Sequence, residues 1–319
     1  MTEATSPSNS ATGAQADDAG SAKDALLALE AKINAILPPR YVGCFEDVPA
    51  SSMGSASLKY DKDGRVAWGS IWTTFCHLAL AGGPPHRGRF LDAVPVTEVL
   101  SHPVEQAAVV GEIKRAIGLC AEFPTIDEDR PGWIGIRCAD TDMAAWMVRA
   151  IVAENVIARH EENLLFVPAG PGFRIEKEVK NVVVCVAKSF HYLLDHIDAE
   201  NRPRGFSQNL IQPPLPEEIA ADLPRYQAAA GELRDALIEC LGLKAFVSDP
   251  PGWVSMECAS EEMAIWLQRA IIVENILARR EAVTLFVPVP LGDSATEAQA
   301  TIVRVVGEVL RLWQLRTTA

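Results

Sequence analysis

Residues 131–168 recur, without a gap, at residues 251–288, 120 positions later in the chain. The two segments are identical at 20 of 38 positions, which is far more than unrelated segments share by chance. Further matches at the same offset, such as Gly111 with Gly231 and Cys120 with Cys240, place the start of the unit near residue 103. The sequence therefore predicts an internal duplication with about 90 residues in each copy.

Each copy is predicted to fold as helix, strand, helix, strand, helix. In the first copy these elements are expected at 104–121, 132–138, 140–160, 163–168 and 174–196. The β-rich run after Pro131 and the apolar run that ends at Pro168 are typical of buried strands, and Asp140 is a typical helix cap. Because a strand–helix–strand unit joins parallel strands by a right-handed crossover, we expect an α/β fold with two lobes related by a pseudo-twofold axis.

The parts of the chain outside the two copies differ in composition. Residues 1–22 contain almost nothing that can be buried, so they are predicted to be a disordered tail without the features of a targeting peptide. An amphipathic helix at 24–37 and a hairpin around the turn Lys62–Asp63–Gly64 are expected to follow. The predicted division is tail 1–22, N-terminal region 23–102, repeat 1 at 103–198, a proline-rich linker at 199–216, and repeat 2 at 217–319.

Charge, hydropathy and cysteine content indicate which classes of partner and which cellular location are compatible with this chain. A net charge of −13 disfavours nucleic acid and anionic membranes, because phosphate-rich partners are bound by clusters of cations. No apolar run reaches the length of a membrane span. The seven cysteines have no scaffold-like spacing, which indicates reduced thiols and a cytoplasmic protein.

A loop rich in glycine and proline at residues 82–89 is one candidate binding site. It presents His86, Arg87 and Arg89. The sequence leaves two interpretations open: a rigid turn with solvated charges, or a loop shaped to hold an anion.

A second glycine-rich loop follows the strand predicted at 163–168 in the first copy. Gly170 and Gly172 lead into a helix with Arg174 at its entry, and the backbone N–H groups and dipole at a helix N-terminus favour an anion. The sequence therefore predicts a site for a phosphate or carboxylate group here.

The helix after this loop carries basic residues that the second copy lacks. Helical projection places one set together, opposite the apolar face: Lys177, Lys180, Lys188 and His191. The corresponding residues of the second copy are Glu297, Ala300, Glu308 and Arg311. The asymmetry indicates either a binding surface in the first copy or a solvated lysine face in contact with acidic surface of the same protein.

Glu154 is a weak candidate for catalysis, because projection of the helix predicted at 140–160 places it within an apolar stripe. A buried carboxylate must be paired or protonated. One interpretation pairs Glu154 with Arg269, and Arg149 with Glu274, across the pseudo-twofold axis. The alternative is a general acid or base with a raised pKa.

Cys138 is a second weak candidate, because it precedes a helix start, a position that lowers a thiol pKa. A small buried thiol is the alternative interpretation. The six histidines form no HExxH motif and the cysteines form no CxxC pair, so no metal site is predicted. The sequence identifies no cofactor.

Two classes of function are compatible with these features. The first is a binding protein for a small anionic ligand, carrying phosphate or carboxylate, with catalytic activity undecided because no nucleophile, base and orienting group occur together. The second is a scaffold or accessory subunit that docks an acidic protein partner through the basic face of repeat 1. Neither nucleic acid nor a membrane is expected as a partner, and the sequence does not indicate an oligomeric state.

Overall fold

The computed structural model describes residues 11–37, 42–45, 57–70, 90–121, 123–126, 130–195, 197–198, 200, 202, 204–205 and 210–318, with side chains from Gly20 onward. The candidate loop 82–89, with His86, Arg87 and Arg89, lies outside the described residues.

The described chain is a mixture of helices and strands. Helix α1 (Ala11–Ala35) comes first. The first half then contains α2 (Val96–Ser101), α3 (Pro103–Cys120), β1 (Trp133–Arg137), α4 (Thr141–Ala153), β2 (Arg159–Glu161), β3 (Leu164–Pro168) and α5 (Lys180–Asp195). The second half contains α6 (Pro216–Ala221), α7 (Leu223–Leu241), β4 (Ala245–Val247), β5 (Trp253–Glu257), α8 (Glu261–Val273), β6 (Arg279–Glu281), β7 (Thr284–Pro288) and α9 (Ala295–Thr318).

Elements of the two halves correspond in position along the chain. From α2 to β3, each element of the first half begins 120 residues before its counterpart, as Trp133 of β1 and Trp253 of β5 illustrate. The correspondence reaches back to Leu91, which bridges Val156, and to Ile211, which bridges Ile276 in the same way. The correspondence between the halves thus begins earlier than residue 103, where it was predicted to begin. The segment 199–216, predicted to be a linker, contains Ile211, which is hydrogen-bonded to Asn275 and Leu277 of the second half.

Both sheets are antiparallel, which corrects the prediction of parallel neighbouring strands. The strand orders are β1-β3-β2 and β4-β5-β7-β6, with Trp133 opposite Pro168 in the first sheet. The sequence interpretation missed β2, which forms a hairpin with β3. Since β1 and β2 both run antiparallel to β3, they point in the same direction, and the connection through α4 joins β1 to β2 with β3 between them.

Helix α4 starts where its cap predicts and ends earlier than expected. The Asp140 carboxylate accepts the backbone N–H of Met143 at 2.7 Å. The helix stops at Ala153, because Asn155 adopts φ 62°, a left-handed conformation that asparagine tolerates. The helix predicted at 140–160 was therefore too long, and its last residues form β2.

The two matched helices α4 and α8 are deeply buried. Every residue of 144–153 and of 264–273 is buried, so neither helix has a solvent face. Helix α4 packs on α5 and its own sheet, whereas α8 packs on α9 and on α1.

The N-terminal region agrees with the predictions in part. The hairpin is confirmed, since Tyr60 pairs with Val66 across the predicted turn. Helix α1 begins at Ala11 rather than residue 24, so it overlaps the segment predicted to be disordered, of which residues 1–10 are not described. None of the helices in the described chain is both long enough and apolar enough to span a membrane.

Candidate ligand-binding cleft

A cleft of about 560 Å³ lies between β2 of the first half and the second half. One wall is the segment 210–214, and the other is the loop after β7 with the first turns of α9. Three charged side chains line it: Arg159, Glu218 and Glu297. The first half therefore contributes the cation, and the second half contributes the two carboxylates.

Arg159 is half-buried, and its charge is not balanced by an ion pair with any residue that the structure describes. Its Nη1 donates to the carbonyl oxygen of Pro213, which fixes the guanidinium at the cleft wall. Burial lowers the pKa of Arg159, and the nearby Glu218 opposes this shift. Among the described residues, no carboxylate forms an ion pair with Arg159.

Arg279, the counterpart of Arg159 in β6, has different neighbours. Its Nη1 lies 2.7 Å from the Glu281 carboxylate, and its guanidinium carbon lies 4.0 Å from the ring centres of both Phe90 and Phe286. Ionic and cation–π contacts therefore hold Arg279 in place.

A single residue explains why Arg159 lacks the equivalent ion pair. Glu161 corresponds to Glu281, but its two carboxylate oxygens accept hydrogen bonds from the two terminal nitrogens of Arg130. The second half has Pro250 at the position of Arg130, so Glu281 stays available to Arg279.

The loop predicted to bind an anion in the first half is closely packed. A Cβ atom on Gly170 would lie 2.6 Å from Cγ1 of Val94, so glycine serves close packing there, whereas Gly172 is exposed. Arg174 is exposed and its Nη2 lies 2.8 Å from the Glu178 carboxylate. This hydrogen-bonded pair lowers the pKa of Glu178 to about 2, and it offsets the charge of Arg174.

The prediction that the basic residues of repeat 1 form an exposed face is wrong for two of the lysines. Lys188 is 4% exposed and Lys180 is 9% exposed, whereas Lys177 is exposed and His191 is half-buried beside Asp195. The cause is the packing of α5, because residues 182–189 are all buried and the helix has no solvent face there. The predicted core face is buried as well, with Val182, Val186 and Leu193 at most 3% exposed.

Glu154 and Lys188 form an ion pair in the core. The Lys188 Nζ donates to Glu154 Oε1 at 2.8 Å, and both side chains are at most 5% exposed. The counterpart Glu274 is paired with Lys32 of α1 at 2.6 Å, since the second half has Glu308 at the position of Lys188. These glutamate pairs differ from the cross-half pairing considered for Glu154.

Arg149 and Arg269, which were considered as partners of Glu274 and Glu154 across the two halves, also have other partners. Arg149 donates to the side-chain oxygen of Asn275 at 2.9 Å, so it does reach the opposite half. Arg269 donates to the carbonyl oxygen of Cys44 at 2.7 Å.

The structure gives Cys138 the character of a core thiol. It is 3% exposed, and burial, assisted by Asp140, raises its pKa to about 12. The expectation of a lowered pKa at the helix start is therefore wrong, because desolvation of the thiolate outweighs the helix dipole. In the part of the chain that the structure describes, no group of three or more His, Cys, Asp or Glu could hold a metal ion.

Comparison of the chain with protein-family models, with curated proteins and with solved structures finds no match. The cleft therefore has to be interpreted from its own chemistry. Sequence reasoning missed Arg159, although a signal was present: the arginine recurs in both copies, while the Arg130 that removes its neighbouring carboxylate occurs in one.

Proposed function

We propose that this protein binds a small ligand through a carboxylate or phosphate group, which Arg159 holds in the cleft between the two halves. The observation that carries the proposal is a half-buried guanidinium on the wall of a 560 Å³ cleft, with no carboxylate ion-paired to it among the described residues. Small-molecule sites are clefts of roughly 300 to 1,000 Å³ with few polar groups. A partly buried charge is more favourable when it is paired, and a ligand anion would supply that partner.

The architecture that builds this cleft is proposed to be an internal duplication with pseudo-twofold symmetry. The common offset of 120 residues between matched elements supports this origin. So do the matched left-handed residues Asn155 and Asn275, with φ 62° and 63°. A cytoplasmic location is part of the proposal, and the free thiols of the six described cysteines support it.

The ligand-binding proposal is favoured over docking of an acidic protein partner. A docking face would need Lys180 and Lys188 at the surface, and both are buried. The exposed remainder of that face is Lys177 with Arg174, whose charge Glu178 already balances.

The proposal is tested by isothermal titration calorimetry with isocaproate and inorganic phosphate on the full chain. Arg159→Gln is expected to weaken binding about ten- to a hundredfold, because a hydrogen bond to a charged group contributes about 1.5–3 kcal/mol. Thermal denaturation of the variant verifies that it remains folded.

Arg174→Gln is the matched control, since it removes an arginine from the glycine-rich loop of the first half. It is expected to leave affinity unchanged. Loss of binding in Arg174→Gln but not in Arg159→Gln would assign the anion to that loop and reject the cleft.

A further inference from the structure

The charges that surround Arg159 constrain the ligand beyond its anionic group. The cleft contains one arginine and two glutamates, Glu218 and Glu297. Glu218 is the acidic residue with the largest electrostatic effect on Arg159. A ligand that brings negative charge alone would satisfy Arg159 and be repelled by both glutamates.

Among the described residues, no cation forms an ion pair with either glutamate. One oxygen of Glu218 accepts the backbone N–H of Leu215 at 2.5 Å, which caps α6 and anchors the carboxylate at the cleft wall. Glu297 is exposed in the first turn of α9, and no described cation forms an ion pair with it. The cleft thus offers a site for a positive group as well as for a negative one.

Apolar side chains line part of the cleft beside these charged groups. Leu210, Ile211 and Leu291 line the cleft together with three prolines, which present hydrocarbon surface and fixed backbone. Such walls stabilise an aliphatic group by removing it from water.

We propose that the ligand is a zwitterion with an aliphatic body, of the chemical class of a branched-chain α-amino acid. Its carboxylate lies against Arg159, its ammonium lies towards Glu218 and Glu297, and its side chain contacts the apolar walls. The proposal rests on the function proposed above, since both need an anionic group at Arg159. It adds the positive group and the apolar body.

The test is a calorimetric comparison of L-leucine, isocaproate and isoamylamine, with inorganic phosphate as a fourth probe. Isocaproate is leucine without the ammonium, and isoamylamine is leucine without the carboxylate. Leucine is expected to bind at least tenfold more tightly than either analogue and than phosphate. The variant Glu297→Gln should reduce the affinity for leucine several-fold and leave that for isocaproate unchanged or slightly higher.

Glu308→Gln is the control, because it makes the same charge change on α9 away from the cleft. It should leave all affinities unchanged. If isocaproate or phosphate bound at Arg159 as tightly as leucine does, the proposal of a zwitterionic ligand would be rejected. The proposed function would be retained. Absence of binding by leucine, isocaproate and phosphate alike would contradict both proposals.

Discussion

Arg159 and Arg279 occupy matched positions, and their different neighbours show how single residues change the role of a site. Arg279 is held by Glu281 and by two phenylalanine rings, so its charge contributes to packing. The corresponding carboxylate, Glu161, is paired with Arg130 instead, and Arg159 lines the cleft. The proposed difference in function between the halves therefore depends on which arginine is paired with the glutamate of β2 or β6.

The glutamate that follows α4 or α8 shows the same principle in the core. Glu154 has a buried lysine partner, whereas Glu274 has a lysine from α1 whose side chain is 56% exposed. Removing one member of a buried pair leaves an uncompensated charge, but removing an exposed partner lets water solvate the other.

We expect Lys188→Met to lower the free energy of unfolding by about 3–5 kcal/mol, and Lys32→Met to lower it by less than about 1 kcal/mol. The double variant Glu154→Met/Lys188→Met should recover much of the loss, because it removes the stranded charge. Urea denaturation measures all three variants. Similar losses for Lys188→Met and Lys32→Met would show that burial of the pair does not govern its energetics.

Among the elements, α1 completes the second half. It lies along α8 and α9 and buries one apolar face, which contains Leu26, Leu29 and Ile33. Its Lys32 supplies the cation for Glu274, in the second half where Glu308 stands in place of a lysine. Helix α1 is therefore part of the folded core and supplies a contact that the first half makes within itself.

We expect Ile33→Ala to destabilise the protein by about 2–5 kcal/mol, because its side chain is 1% exposed and the substitution leaves a cavity. Leu27→Ala on the same helix is the control: Leu27 is 57% exposed, so the change should be within about 0.5 kcal/mol. Thermal and urea denaturation report both variants. If Ile33→Ala were as mild as Leu27→Ala, helix α1 would not be docked on α8 and α9.

At the scale of the whole molecule, the two halves are joined through buried polar contacts. Arg149 of α4 donates to Asn275, and Nη1 of Arg279 lies 3.3 Å from the side-chain oxygen of Asn155. The hydroxyl of Tyr192 in α5 donates to the carbonyl oxygen of Ile36, so the segment after α1 also contacts the first half. Separating the halves would expose two arginines that are fully buried in the folded chain.

The halves should consequently unfold together. In native-state hydrogen exchange, peptides from α4 and α8 are expected to open with the same free energy, within about 1 kcal/mol. Asn275→Ala should lower protection in both helices, since it removes a hydrogen bond that Arg149 makes across the two halves. Loss of protection confined to α8 would instead indicate two independently stable halves.

Local chemistry made several features readable from the sequence. The cap at Asp140, the strands around Trp133 and Phe166, and the hairpin turn at Gly64 each depend on neighbouring residues, and each was predicted. The offset of 120 residues also predicted that the second half would follow the same order of elements. The first three features depend on interactions between residues close in the chain. The order of elements in the second half depends on the sequence similarity of the two segments.

The remaining features depend on tertiary structure. A strand of three residues such as β2 carries too little periodicity to be recognised, so the antiparallel sheet was missed. Lys188 is buried because α5 is enclosed on all sides over residues 182–189, whereas the projection assumed that one side of the helix faces solvent. The burial of Glu154 was predicted, but its partner Lys188 was not, because the two residues meet only when α4 and α5 pack together.

The sequence alone determined that this chain has two matched halves of mixed helix and strand, because composition and spacing specify local elements. Tertiary structure decided which charges are buried, paired or accessible. Arg159 and Arg279 are the same residue in almost the same local sequence, yet Arg130 binds the glutamate next to Arg159, and the ring of Phe90 packs on Arg279. Electrostatic and cation–π interactions act through space, so their outcome is fixed when the distant partners come together.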